Sequence, residues 1–200
     1  MDIRPVTLEG RVVRLEPMSI DHLDALCEVG LDERVWRWMR DLVTTRAAMR
    51  TFVEAALQTD RAGSTLTFVT VERSSGRAVG SSRFLNIDRL DRHLEIGFTW
   101  IAPPWQRTAV NSEQKLLMVG HAIERLGCHR VEFKTDSLNH PSRNALAGIG
   151  ATEEGTFRRH MVVQQGRLRH STYYSIVDTE WPAVKARLED RLSRSGRAVS

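Results

Sequence analysis

From His93 to Ile101 apolar and polar residues alternate, Leu94, Ile96, Phe98 and Trp100 against Glu95, Gly97 and Thr99, the period of two that marks a half-buried strand. Pro103 and Pro104 end it. A short polar turn, Gln106 to Asn111, follows, and Asn111 or Ser112 then caps a helix over 112–126 whose apolar positions Leu116, Val119, Ile123 and Leu126 recur at helical spacing. The rest of the chain is read around this unit. A strand over 11–16 ends at Pro17, a helix runs from Ser19 or Asp21 to Gly30, and a short helix over 31–39 carries Val35, Trp36, Trp38 and Met39. Thr44 or Thr45 caps a third helix with Met49, Phe52, Val53, Ala56 and Leu57 on one face. Strands follow over 66–71 and 78–87, joined by Ser74-Ser75-Gly76.

Beyond the central helix, a strand over 129–135 is expected to run parallel to its predecessor, since a helical crossover joins them. Pro141 opens a helix that Gly150 closes, and a hairpin over 156–163 and 168–177 turns at Gln165-Gly166. A last helix spans 182–192, and Ser193 to Ser200 is a polar tail expected to fray. The order β-α-α-α-β-β-β-α-β-α-β-β-α defines an α+β chain with a mixed sheet. One domain is expected over 1–180, with residues 181–200 forming a C-terminal helix and tail.

A strand, a tight loop and a helix N-terminus form an anion site, because the first amides of a helix lack intrahelical acceptors and lie at the positive end of its dipole. The stretch around that loop resembles the signature of the Gcn5-related N-acetyltransferase family, Gln/Arg-x-x-Gly-x-Gly/Ala, matched at Gln106, Ala109 and Asn111. Leu94 to Phe98 resembles the family's central strand. Asn139, Ser142, Arg143 and Gly150-Ala151 resemble a block of the branch that acetylates ribosomal-protein N-termini and related amines. The likeness spans Leu8 to Val177.

That resemblance implies a three-layer fold, a mostly antiparallel mixed sheet with helices on both faces. It also implies acetyl-CoA as co-substrate, a primary amine as acceptor (a small molecule or a protein N-terminus), direct transfer without a covalent enzyme intermediate, and a homodimer. The cofactor would be held by Trp100, Ile101, Gln106, Arg107, Thr108, Ala109, Val110, Asn111, Ser112, Asn139 and Arg143. Glu95 falls on the position of the general base. No tyrosine lies between Asn139 and Gly150 to act as general acid, and Ser142 takes that place. The bland alternatives are that Glu95 faces solvent or pairs with Arg83 or Arg92, and that Ser142 only caps its helix. Two glycines of the signature are absent, and at Ala109 a positive φ would strain the loop. A second reading therefore rests on Ala109: a binding or regulatory module that has lost turnover.

Composition narrows the field. The net charge of +4 and pI near 9.6 arise from arginines scattered along the chain with only three lysines, so a nucleic-acid patch is not expected, and the surplus suits an anionic cofactor. Arg187, Arg191, Arg194 and Arg197 interleave with Glu189 and Asp190 as a solvated helix face. Cys27 and Cys128 read as buried thiols. With no membrane span or signal region in the pattern, the expected location is cytoplasmic. The seven histidines form no i,i+4 pair, so no metal site is expected. Trp36 and Trp38 are read as packing on the sheet, with a substrate groove the alternative, and Tyr173 and Tyr174 as core and edge of a late strand.

Overall fold

The computed structural model describes residues 1–197. Eight strands form one sheet in the order β1-β2-β3-β4-β5-β6-β8-β7. They are β1 (Leu8–Glu9), β2 (Val13–Pro17), β3 (Leu66–Glu72), β4 (Ala78–Asp88), β5 (His93–Ile101), β6 (Arg130–Asp136), β7 (Thr152–Val162) and β8 (Leu168–Val177). The helices are α1 (Leu23–Gly30), α2 (Glu33–Trp36), α3 (Arg46–Arg61), α4 (Ala109–Gly120), α5 (His140–Ile149) and α6 (Trp181–Arg197). All neighbouring strands pair antiparallel except β5 and β6. The expected mixed sheet and parallel crossover are both present.

Two cores lie on the two faces of the sheet. On one, Leu94, Ile96, Val131, Phe133 and Ile176 pack against α4, α5 and α6 through Met118, Val119, Leu146, Val184 and Leu188. On the other, Val69, Val71 and Trp100 meet Leu26, Trp36, Met49 and Val53 of α1, α2 and α3. Each such side chain fully withdrawn from water contributes roughly 1.5–3 kcal/mol. The second core draws its strand residues from β3, β4 and β5. Over β6 and β8 that same face is polar, carrying Lys134, Arg169, Ser171 and Tyr173.

Several boundaries differ from the sequence reading for local reasons. The helix expected over 112–126 starts at Ala109, because Thr108 rather than Asn111 or Ser112 is the cap, its side chain accepting from Val110 N. Its last turn, His121–Arg125, is a π-helix. Ser112, Glu113, Gln114 and Lys115 in its first turns are buried although polar, ahead of the expected apolar positions. Glu113 explains part of this: its carboxylate accepts from Arg11 N at 2.9 Å, Val12 N at 2.6 Å and Val13 N at 2.7 Å, closing the β1–β2 turn.

The alternation of β5 also breaks. Against β4, Ser81 pairs with Trp100 but Arg83 with Gly97, so β5 carries one extra residue, and Phe98 adopts the left-handed region at φ 49. A bulge moves every following side chain to the opposite face. Leu94 and Ile96 therefore face α4, whereas Trp100 faces α3. The C-terminal helix runs on to Arg197 through part of the expected tail, and its Trp181, Val184 and Leu188 belong to the α4-side core. Residues 198–200 lie outside the described residues.

Candidate active site

The pairing of β5 with β6 is short. His93, Leu94 and Glu95 face Arg130, Val131 and Glu132, after which β5 continues to Ile101 along β4 and β6 to Asp136 along β8. Between the separated ends lies a cleft. Because the two strands are parallel, their carboxyl ends lie at the same end of the sheet, where ligands enter such crevices. Each leads to a helix, β5 through a 3-10 turn at Pro103–Trp105 to α4 and β6 through a short loop to α5, so two helix N-termini stand at the mouth.

At the α4 mouth, Arg107 takes the left-handed conformation at φ 60. Ala109, the first helical residue, is not among the positive-φ residues. The strain feared at Ala109 is absent: the loop makes its turn two residues earlier, and a methyl at the first helical position costs nothing. Gln106 Nε2 donates to Ile101 O at 2.8 Å, tying the loop to the strand. Thr108 Oγ1 takes one amide, that of Val110, at 3.3 Å. The remaining first-turn amides, including those of Ala109 and Asn111, have no intrahelical acceptor. An exposed loop with a left-handed residue ahead of free amides fits a pyrophosphate. Val110 and Ser112 are buried and Trp100 packs beneath α3, so the side chains of these three are withdrawn into the interior.

At the α5 mouth, Asn139 is the cap, its Oδ1 accepting from Ser142 N at 3.2 Å. Capping thus falls to Asn139, and the half-buried Ser142 hydroxyl makes no hydrogen bond among the described residues. Arg143 braces the region, with Nε to Tyr174 OH at 3.1 Å, Nη1 to Ser137 O at 3.2 Å and Nη2 to Glu153 at 3.1 Å.

Inside the cleft, Glu95 is 2% exposed. Its Oε2 accepts from Asn86 Nδ2 at 2.8 Å and Lys134 Nζ at 3.2 Å. The partner is a lysine from the neighbouring parallel strand, neither of the arginines considered from sequence. Oε1 has no hydrogen-bond partner among the described residues and lies toward Gly97, where a Cβ would stand 3.0 Å away. Glycine there leaves room at the free oxygen.

Around Glu95 on this open face stand groups that sequence patterns did not single out as a site. Lys134 Nζ lies 5.6 Å from the Tyr173 ring centre. His160 Nδ1 meets Ser171 Oγ at 3.1 Å, and Arg169 Nε donates to the same oxygen at 3.0 Å. Burial holds the His160 imidazolium below its usual pKa, with Lys134 and Arg169 adding to the effect. Buried Asp136 is paired with Arg167 at 2.5 Å. The β7–β8 turn roofs the face: Gln164 Nε2 donates to Trp36 O at 2.7 Å, Met39 O at 3.0 Å and Asp41 O at 3.3 Å. Only strand register could have found this cluster, since its members come from β5, β6, β7 and β8. Tyr173 belongs to it, while Tyr174 is buried. Trp36, 1% exposed, is core.

From the α4 side, Lys115 reaches the separation of the strands. Its Nζ donates to Thr99 Oγ1 at 3.1 Å and lies 5.5 Å from the Phe133 ring centre, with no carboxylate partner among the described residues. Burial pushes its pKa down to about 7. Cys128 is buried and its thiol pushed up to about 11 by that burial, and Cys27 is half-buried. Away from the cleft, donor atoms of Asp88, Asp91 and His93 lie within 4.8 Å of one another in the β4–β5 turn, a grouping that helical spacing could not reveal. Asp88 Oδ1 already accepts from Leu90 N at 2.9 Å and Asp91 N at 2.8 Å, which serves the turn.

A carboxylate with one free oxygen where two parallel strands part, with two helix N-termini beyond it, is a layout that suits a group-transfer enzyme. Residues 13–152 match the family model of the acetyltransferase (GNAT) domain. The chain belongs to this Gcn5-related N-acetyltransferase family and is an N-acetyltransferase. It is 32% identical to a GCN5-related N-acetyltransferase from Brucella melitensis, with a TM-score of 0.88 over 95% of this chain and 86% of that one. An uncharacterized N-acetyltransferase, p20, of Bacillus licheniformis is 23% identical over 88% of this chain and 98% of its own length. RimJ of Mycobacterium smegmatis, solved with CoA-disulfide, shares the fold at 24% identity, TM-score 0.80, over 94% of this chain and 95% of that one.

Proposed function

We propose that the protein transfers an acetyl group from acetyl-CoA to a primary amine by direct attack, and that it belongs with the RimJ-like branch. The observation that carries this reading is the free Glu95 Oε1 in a cleft whose mouth is formed by two helix N-termini. The family and the CoA-containing RimJ structure support the choice of co-substrate. Amides of Arg107, Thr108, Ala109 and Asn111 would hold the pyrophosphate, and Asn139 would hold the pantetheine arm through its amide nitrogen, since its oxygen is spent on the cap. Bound acetyl-CoA supplies the acyl group as a thioester.

An amine reaches the site mostly as an ammonium and attacks only when neutral. Glu95 Oε1 accepts that proton directly or through one water, while Asn86 and Lys134 fix the carboxylate through Oε2. Ser142, whose hydroxyl is not engaged among the described residues, donates to the departing sulfur at the positive end of α5. The non-catalytic alternative loses its support with the helical conformation of Ala109. A screen of primary amines with acetyl-CoA, read by thiol release and product mass, tests the reading: amine-dependent acetylation is expected.

We further propose a cytoplasmic homodimer paired through β7. That strand is the sheet's edge and is exposed along nearly its whole length, with Phe157 60% and Val162 58% exposed. The two free cysteines suit a reducing compartment, and no helix among the described residues is long and apolar enough to cross a membrane. Light scattering should give twice the chain mass. A monomer at micromolar concentration would remove the dimer without touching the chemistry.

A further inference from the structure

The open face holds more positive charge than its acids neutralise. Glu95 is met by Lys134 at 3.2 Å and Asp136 by Arg167 at 2.5 Å. Arg169 remains. It is 7% exposed, its Nε is used by Ser171 Oγ, and its terminal nitrogens have no carboxylate or carbonyl partner among the described residues. Glu95 and Asp136 are near enough to raise its pKa, yet burial outweighs both, so the guanidinium is less stable here than in water. A buried cation without a direct counter-ion is costly to hold. Such a group is retained where an anion arrives to meet it.

A second cation of the same kind stands on β4. Arg83 is 7% exposed, its Nε is buried without a partner, and its planar faces lie 4.3 Å and 5.5 Å from the ring centres of Phe98 and Phe52. Asp60, the acid it feels, is already engaged with Thr65 and Thr67. This face of the sheet thus carries a buried guanidinium on β4 and another on β8, with Glu95 on β5 between those strands in the sheet order. A guanidinium with free terminal nitrogens suits two-pronged binding of a carboxylate.

On the reading of this cleft as an amine acetylation site, we propose that the acceptor carries a carboxylate beside its amine, and that Arg169 binds that carboxylate while the amine faces Glu95. The class is an amino acid, or a peptide whose N-terminal residue is acidic, rather than a polyamine or a neutral amine drug. Spermidine-like acceptors would bring positive charge against Arg169, Arg167, Lys134 and Arg83.

The test uses matched pairs differing only in that group: glycine, aspartate, glutamate and 5-aminovalerate against their carboxamides. Two C-terminally amidated tripeptides, beginning with Glu and with Gln, serve as the peptide arm. Binding is measured by calorimetry without acetyl-CoA, and turnover by thiol release. At least one acid should bind ten-fold or more tighter than its amide in the wild-type protein. That gap should fall below about three-fold in Arg169→Met and be partly kept in Arg169→Lys, with acetyl-CoA affinity unchanged in both. The lysine variant keeps the charge and guards against a methionine variant that fails to fold. A preference confined to the Glu tripeptide assigns the acidic peptide, and one confined to the free acids assigns the amino acid. Equal binding of acid and amide, no binding by any member, or a gap that survives in Arg169→Met overturns the proposal. Selective binding without acetyl transfer would sink the transferase reading and leave the Arg169 site standing; transfer to amides and acids alike would do the reverse.

Discussion

Two lysines approach the separation of β5 and β6 from opposite faces of the sheet, and their surroundings differ. Lys134, on the open face, is ion-paired with Glu95 at 3.2 Å and borders His160, Tyr173 and Arg169. Lys115, beneath α4, has a threonine hydroxyl and an aromatic ring for company, and burial brings its pKa to about 7. The same residue type on two sides of one cleft serves a polar site in one case and a packed core in the other. On the side of Lys134 a carboxylate keeps one oxygen free; on the other side the protein holds a lysine that readily gives up its charge.

The comparison breaks first at Glu95. Glu95→Gln keeps the shape and the Asn86 contact but removes the proton acceptor, so kcat should fall by roughly two to four orders of magnitude and the acidic limb of its pH profile should vanish or move. Activity near wild type with an unchanged limb would make Glu95 a structural partner of Lys134. Next in size is the cofactor loop. Ala109→Pro removes one amide at the helical position that tolerates proline best, after a residue already extended. Acetyl-CoA should then bind about 10- to 150-fold more weakly, the worth of one hydrogen bond to a charged group, while the melting temperature holds. Unchanged affinity would move the pyrophosphate elsewhere.

Ser142→Ala should lower kcat by about ten-fold or more with acetyl-CoA affinity unaltered, since one hydrogen bond to a developing thiolate is worth on the order of 1.5–3 kcal/mol. Because Asn139 performs the capping, stability should stay within about 0.5 kcal/mol of wild type, the range for a change that breaks no named interaction. A normal kcat would leave water as the proton donor. The smallest effect on turnover is expected at Lys115, where stability is the readout. Its folded pKa, about 7, lies below that of the unfolded chain. The unfolded state therefore binds more protons across the interval between them, and stability should rise as pH climbs from about 7 towards 10.4, by at most about 1.4 kcal/mol per pH unit. Below that interval both states are protonated and the penalty is complete. Lys115→Met should be more stable at neutral pH and lose the slope; a slope that persists would assign it to another group.

What the sequence made legible follows the range of the interactions concerned. β5 and β8 were read with the observed bounds because alternation and prolines are local signals. The loop was legible as a motif, yet its cap was misassigned, since Thr108 competes with Asn111 and Ser112 on equal chemical terms and only the backbone decides. The bulge at Phe98 left no mark in the pattern, because Phe, Thr and Trp all suit a strand on either side of it. Glu113 to Lys115 were placed on a helix but not recognised as buried, as their partners lie in the β1–β2 turn and on β2, β3 and β5. For the same reason Glu95 was singled out while Lys134, Asn86 and Arg169 were not, since they meet it only through the order of the sheet.

The most direct test of the central claim combines acetyl-CoA with a primary-amine panel and follows thiol release together with the mass of the amine, for the wild type and for Glu95→Gln. The account predicts thiol released in step with acetylated amine, no release without amine, and a loss of at least a hundred-fold in the variant while acetyl-CoA binding is kept. Release that ignores the amine, or equal rates in the two proteins, would contradict it.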